Sequence, residues 1–367
     1  MTPDNGKPVR PGGEAAGSRR GGRTPRSAPP SGPPHPNNTL NELSGASWLY
    51  FTKSLLVTTY PSDWGHDLRK AHGANKPPEL MRQLIEFFTT REGRVLDPFA
   101  GVGGTLIGAS LCDPPRPAVG VEINPRWTAV YREVLARLAA EGRPLPAQEM
   151  LTGDCREALG AFPDGHFQFL VTDPPYNVHL ERTMCDGRYD QEHANRRTDY
   201  DMSSNDPADL ANLGSYEEYL GAMEGVFKDC LRVLEEGRYM AVIVRNAYQG
   251  GRYLFTHADL ARRAEAAGFV PKGEIVWYQA GSRLRPYGYP YAYVPNIAHQ
   301  YIVVLQKPGR AGRRRKTRAR DDAPGRLPGR ADGPESTGGC LPVQRLCSTG
   351  GQTKSSRWSA SPGGAVW

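Results

Sequence analysis

Apolar residues recur along the central part of this chain in two alternating periods. Leu80, Met81, Leu84, Ile85 and Phe88 fall on one face of a 3.6-residue repeat, as do Trp127, Val130, Tyr131, Val134, Leu135 and Leu138. A third stripe, Tyr219, Leu220, Met223, Phe227, Cys230, Leu231 and Leu234, follows Ser215 and Glu218, which stand at the spacing of a capping box. Between these helices lie short aliphatic and β-branched runs near residues 94, 118, 149, 169, 240, 274 and 301. Strands alternating with helical stripes predict an α/β fold with a doubly wound, mostly parallel seven-stranded sheet. The stripes read as core faces, not as ligand boxes.

Ligands of such a sheet sit in the crevice at the carboxyl ends of its strands, so the residues that end the strands carry the chemistry. The run RVLDPFAGVGGT, residues 94–105, gives a strand end, Asp97, and a turn through Gly101, Gly103 and Gly104 that leads into the apolar run LIGASL. Glycine there lets backbone approach a ligand, and the helix start offers N–H donors; a turn that merely needs glycine is the plain alternative. Next, AVGVE ends in Glu122, 25 positions after Asp97, where doubly wound folds place an acid on ribose hydroxyls. EMLTGD puts Asp154 at a corresponding end. Three carboxylates and a glycine turn suit a nucleoside bearing hydroxyls, an amine and a cationic group. No GxxxxGK[ST] run occurs, which excludes the usual triphosphate loop. A dinucleotide stays open, although GVGGT is not GxGxxG and Asp97 would face its pyrophosphate.

VTDPPYN, residues 171–177, supplies the second half. Pro174 and Pro175 have no N–H, so with Asp173 the segment offers acceptors and few donors. Such a loop receives the hydrogens of an amine. The Asp173 carboxylate and the Pro174 carbonyl can hold both, turning the lone pair toward a methyl donor, while Tyr176 stacks on the base for ~1 to 3 kcal/mol. A Pro-Pro turn after a buried strand, with an exposed tyrosine, is the alternative.

These segments resemble, in order, those of the S-adenosylmethionine-dependent amino methyltransferases that modify adenine N6 or cytosine N4 in DNA. The resemblance runs from about Tyr50 to about Lys307. AHGANKPPEL is similar to the family's HPxxKPxEL helix, with Lys76, Pro77 and Glu79 at matching positions; LDPFAGVGGT resembles its DPFxGSGTT loop, with Gly104 in place of a threonine. VGVEINP, GDC and TDPPYN follow, then CLRVLEEGRYMAVIVRN, EIVWYQ and HQYIVVLQK. The cofactor half comes first, unlike the permuted enzymes that begin with DPPY. The resemblance implies a class I, Rossmann-like methyltransferase domain over residues 39–307. It implies S-adenosylmethionine as cofactor, held by Lys76, Asp97, Phe99, Gly101, Gly103, Thr105, Glu122, Ile123 and Asp154. Asp173, Pro174, Pro175 and Tyr176 would be catalytic. The implied activity is site-specific DNA methylation, as in restriction–modification, and a nuclease or specificity partner is left open. Two alternatives stand: an RNA guanine-N2 methyltransferase, or a nucleic-acid-binding protein without catalysis.

Charge and composition add a partner. A net charge of +7 and a pI near 9.1 favour a polyanion such as DNA, though an arginine-rich composition alone gives the same balance. Two loops are candidates to read it. The polar stretch 177–214 carries Asn177, Arg182, Arg188, Arg196 and Arg197, and SRLRPYGYPYAYVPN interleaves Arg283 and Arg285 with Tyr287, Tyr289, Tyr291 and Tyr293. A duplex target would have to flip its base at a cost of a few kcal/mol. Residues 1–38 and 308–367, rich in Pro, Gly, Arg and Ser, are expected to be disordered tails; the run GRAGRRRKTRAR opens the second. Six cysteines without a CxxC pair are expected to be reduced thiols of a cytoplasmic protein with no metal site, and no apolar run is long enough for a membrane span.

Overall fold

A computed structural model describes residues 32–176, 204, 206–279, 282, 284, 286, 287 and 289–309. The expected tails therefore lie outside the described residues, apart from residues 32–38, 308 and 309. The strands are β1 (Leu55–Val57), β2 (Val95–Asp97), β3 (Ala118–Glu122), β4 (Glu149–Thr152), β5 (Phe167–Thr172), β6 (Leu234–Val244), β7 (Ala247–Gln249), β8 (Arg252–Leu254), β9 (Val270–Tyr278) and β10 (His299–Gln306). Helices α1 (Gly45–Phe51), α2 (His66–Arg69), α3 (Pro78–Phe88), α4 (Gly104–Ser110), α5 (Pro125–Ala140), α6 (Cys155–Ala161), α7 (Tyr216–Val233) and α8 (Thr256–Ala267) run between them.

Eight strands form one sheet in the order β1-β9-β10-β6-β5-β2-β3-β4, and β7 with β8 makes a separate hairpin. Only β10 runs antiparallel, against β6 and β9. The sheet thus has eight strands where the sequence predicts seven. The addition, β1, is a three-residue edge strand lying parallel on β9 with Leu55 opposite Val276, too short to show a period.

Alternation along the strands builds two cores, one on each face. Leu96, Leu170, Met240, Val242 and Val244 pack with α6, α7 and α8; Val95, Phe169, Val171, Ala241 and Ile243 pack with α3, α4 and α5. The three predicted helical stripes are the faces that enter these cores, and the Ser215 side chain caps α7 by accepting from the Glu218 N–H. Cys112, Cys155 and Cys230 are buried free thiols. Among the described residues no helix is long and apolar enough to cross a membrane.

The order β5-β2-β3 puts the switch point between β2 and β5, since the chain leaves β2 toward β3 and β4 and returns on its other side. α3 lies against α4 at this point, and the contact is close. A Cβ built at Gly108 would stand 2.6 Å from Met81 Cβ and 2.9 Å from the Pro78 carbonyl oxygen. Because α3 begins two residues after Lys76, this packing sets how near Lys76 comes to the strand ends. Gly108→Ala is expected to lower stability by ~1 to 3 kcal/mol through overpacking, read from urea denaturation; an unchanged midpoint would contradict the close approach.

Candidate active site

A cavity of about 320 Å³ opens at the carboxyl ends of β2, β3, β4 and β5. Lys76, Asp97, Phe99, Gly101, Thr105, Glu122, Ile123, Asp154, Asp173, Pro174, Pro175 and Tyr176 all line it. The two sequence segments, separated by some seventy residues, thus share one wall. Gly103 faces elsewhere: it precedes α4 with φ +76°, and a Cβ there would meet the Tyr131 ring at 2.3 Å. Its glycine serves helix–loop packing.

Each strand-end acid has its own task. Asp97 is buried and engaged on both oxygens: Oδ1 accepts from the Phe99 N–H at 3.0 Å and the Thr172 hydroxyl at 2.7 Å, and Oδ2 accepts from the Thr105 hydroxyl. It fastens the glycine loop to β5, a bracing role the sequence expectation of a direct ligand contact did not contain. Glu122 closes the loop from the other side, accepting from the Gly101 N–H at 2.8 Å and the Asn124 N–H at 2.9 Å on different oxygens. Each of those oxygens keeps a lone pair for a hydroxyl in the cavity. Burial pushes Asp97 up to about 6 and Glu122 up to about 7. Asp154 caps α6 through the Arg156 N–H at 2.9 Å and also holds the Arg156 guanidinium. Burial there acts upward, but those bonds from Arg156 bring Asp154 below the ordinary carboxylate range.

The catalytic candidate is held by a residue far away in sequence. Lys76 Nζ donates to Asp173 Oδ2 in a buried ion pair, with side-chain exposures of 7% and 13%. The Tyr176 hydroxyl donates to the other oxygen at 2.8 Å. Burial raises Asp173 above its ordinary value, and the Lys76 charge opposes that rise. The Tyr176 ring is half-buried against the α7 core while it lines the cavity, so it supports Asp173 in addition to offering a ring edge to the site.

His72, inside the AHGANKPPEL segment, and residues 208–212 also line the cavity, and Arg69 supports Lys76 from outside the lining. His72 stands beside Gly101 with Nδ1 buried and unpartnered, and burial lowers it to about 4. Arg69 is buried and donates to the Lys76 carbonyl. A Cβ at Gly104 would lie 2.8 Å from that carbonyl oxygen, which accounts for glycine where the resembling loops carry threonine. Ala208–Asn212 form another wall: Asp209 accepts from the Ala211 N–H at 2.9 Å and the Ser204 N–H at 2.7 Å, and Arg156 donates to the Ala208 carbonyl at 2.9 Å. This stretch, read from sequence as part of a nucleic-acid loop, lies beside Asp154. Asn177, Arg182, Arg188, Arg196, Arg197, Arg283 and Arg285 lie outside the described residues. Tyr287 is half-buried, while Tyr289, Tyr291 and Tyr293 are almost fully exposed. Among the described residues no group of three or more His, Cys, Asp or Glu could hold a metal ion.

The lining suits one kind of small molecule. Among the described lining residues, Asp97, Glu122, Asp154, Asp173 and Asp209 face Lys76 and no other lysine or arginine, an acceptor set that receives hydroxyls, an amine and a positive sulfur and repels a pyrophosphate.

Two outcomes follow from these charges. Folded Glu122 and Asp97 keep protons that the unfolded chain releases, so their contribution to stability falls as pH rises from about 4.5 to about 7. Glu122→Gln is expected to flatten that fall, measured by urea midpoints across the range; an unaltered slope would contradict it. Lys76→Met removes the cation that opposes burial at Asp173, and the acid limb of the single-turnover rate should move ~1 to 3 pH units higher. A limb that stays in place would detach Asp173 from Lys76.

The profile of the DNA methylase family, which covers N6 and N4 methyltransferases, matches residues 37–132 and 167–342. The type II methyltransferase M.HindIII of Haemophilus influenzae is 34% identical over 113 residues, 29% of this chain and 33% of that protein. The tRNA (guanine(10)-N2)-dimethyltransferase of Pyrococcus abyssi is 31% identical over 103 residues, 28% of this chain and 29% of that protein. The matches thus span about a third of the length of these curated relatives. Among solved structures, an S-adenosylmethionine-dependent methyltransferase from Methanosarcina mazei is similar with a TM-score of 0.38 and 12% identity, over 59% of this chain and 93% of that one. On the profile match, which covers well over half of its length, the chain belongs to the DNA methylase family of S-adenosylmethionine-dependent amino methyltransferases.

Proposed function

We propose that this chain methylates an exocyclic amino group, adenine N6 or cytosine N4, in DNA, and that residues 39–307 form the catalytic unit. The observation that carries the reading is the single cavity in which Asp173, held by Lys76, shares a wall with Glu122 and the Gly101 turn. S-adenosylmethionine, when bound, supplies a methyl group on a positive sulfur. Glu122 would take its ribose hydroxyls, the Phe99–Gly101 backbone would cover it, and Asp154 would use its remaining acceptor capacity on the adenine amine. Ile123 and Thr105 complete that side of the cavity.

The chain's own work is alignment. An exocyclic amine is a poor nucleophile while its lone pair is delocalised into the ring. Asp173 and the Pro174 carbonyl draw its hydrogens out of the ring plane and turn the lone pair toward the methyl donor, an amine hydrogen sharing or replacing the Tyr176 hydroxyl on Oδ1. Lys76 favours the ionised form of the buried Asp173 against the pull of burial. Orientation can supply ~7 to 11 kcal/mol, against ~3 to 5 from general base catalysis, so Asp173 is chiefly an acceptor and takes the proton after attack. The DPPY segment has no cysteine, so transfer is direct. Net positive charge and the exposed Tyr289, near Tyr287, favour a nucleic-acid surface that includes this tyrosine-bearing segment. The likeness to a tRNA guanine-N2 enzyme makes RNA the second reading.

Labelled-methyl transfer assayed in parallel on duplex DNA, single-stranded DNA and transfer RNA separates the readings, with label expected in DNA; label in transfer RNA alone would transfer the assignment to RNA. In single turnover with saturating cofactor, Asp173→Asn, which keeps one acceptor, should retain at least ~10-fold more rate than Asp173→Ala, in line with a lost oriented acceptor. Equal losses would remove the alignment role.

A further inference from the structure

Beside the turn that carries Asp173, just outside the residues that line the cavity, stands an arginine. In the parallel pairing of β5 with β6, Thr172 lies opposite Val242. Arg245, the first residue after β6, therefore stands abreast of the Pro174–Pro175–Tyr176 turn. Its side chain is withdrawn from water, and the groups that act on its charge are the phenols of Tyr176, Tyr287 and Tyr253, with no carboxylate among them. Its Nε is buried without a hydrogen-bond partner. The next residue anchors this position: buried Asn246 donates to the Tyr253 hydroxyl at 3.1 Å and accepts from His257 Nδ1 at 2.8 Å. A desolvated guanidinium held in place with an idle N–H is a donor awaiting an acceptor.

Resting on the reading that a base amine is seated at Asp173, we propose that Arg245 receives the adjoining ring edge and that the base is cytosine, methylated at N4. Beside the N4 amine, cytosine presents N3 and then O2, both acceptors. In a base pair, guanine meets that edge with an acceptor followed by two donors, and a carboxylate beside a guanidinium fork repeats the order. Adenine presents N1 and then an apolar C2–H, which leaves one arm of the fork unpaired. Guanine presents N1–H next to its amine, a donor against a donor. In the transfer, the bond from N4 to the methyl carbon forms as the sulfur–methyl bond of S-adenosylmethionine breaks, and the surplus N4 proton leaves through Asp173 to solvent.

The test uses the full chain with labelled S-adenosylmethionine and mixed-sequence duplex DNA, followed by chromatography of the nucleosides. Label is expected in N4-methylcytosine. Arg245→Lys, which keeps the charge and loses the fork, and Arg245→Met should each lower kcat by roughly ten- to a hundredfold, with cofactor affinity by calorimetry and DNA affinity both within a few-fold of the parent. Label in N6-methyladenine would overturn the cytosine assignment while leaving amine methylation of DNA intact. An unchanged kcat with a raised KM and a shallower salt dependence would give Arg245 to a backbone phosphate and overturn its role at the base. No label in any DNA would refute the underlying reading, and the cytosine assignment with it.

Discussion

The buried ion pair between Lys76 and Asp173 is the constraint on which the site depends. A carboxylate at the end of a fully buried strand loses solvation that a water-exposed one keeps, and burial alone drives it toward the neutral acid. A neutral acid would offer a donor where the amine needs acceptors. Lys76 opposes that tendency from a loop that has no sequence proximity to Asp173, so the pair forms only when α3 is seated on α4 and β5 lies beside β2. Fold and chemistry are thereby coupled: the packing at Gly108, the Lys76 carbonyl held by Arg69, and the charge state of Asp173 are parts of one arrangement.

The other acids show how similar residues at equivalent strand ends diverge. Asp97 spends both oxygens inside the protein, Glu122 spends one lone pair on each side of the loop, and Asp154 is shared with Arg156. What remains for a ligand therefore differs at each position, from one acceptor site on Oδ2 at Asp97 to one on each oxygen at Glu122. Their burial also leaves the pocket less negative near neutral pH than its formal charge suggests, because a proton occupies part of that charge, chiefly at Glu122.

Much of this was legible in the sequence because period and strand ends are local signals. The stripes at Leu80–Phe88, Trp127–Leu138 and Tyr219–Leu234 are the buried faces, and Asp97, Glu122, Asp154 and Asp173 do end their strands around one cavity. The misses have a common cause, which is that partnership across the fold leaves no local trace. Nothing in AHGANKPPEL tells that Lys76 meets a carboxylate 97 residues on, that Arg69 fills the place of a side chain at Gly104, or that Gly103 makes room for Tyr131 and not for a ligand. A three-residue edge strand such as β1 is below the length at which a period exists. The polar stretch before Gly214 looked like one functional loop, yet the part from Ala208 to Asn212 belongs to the wall beside Asp154 because Asp209 and Arg156 fold it there.

The central claim is spatial: one cavity receives the methyl donor against Glu122 and presents the target amine against a Lys76-held Asp173. A crystal structure of the chain with S-adenosylhomocysteine tests it most directly. The account predicts ribose hydroxyls on the Glu122 carboxylate and the sulfur turned toward Asp173, with the Lys76–Asp173 pair intact. A ligand seated away from Glu122, or a sulfur facing the opposite wall, would contradict it.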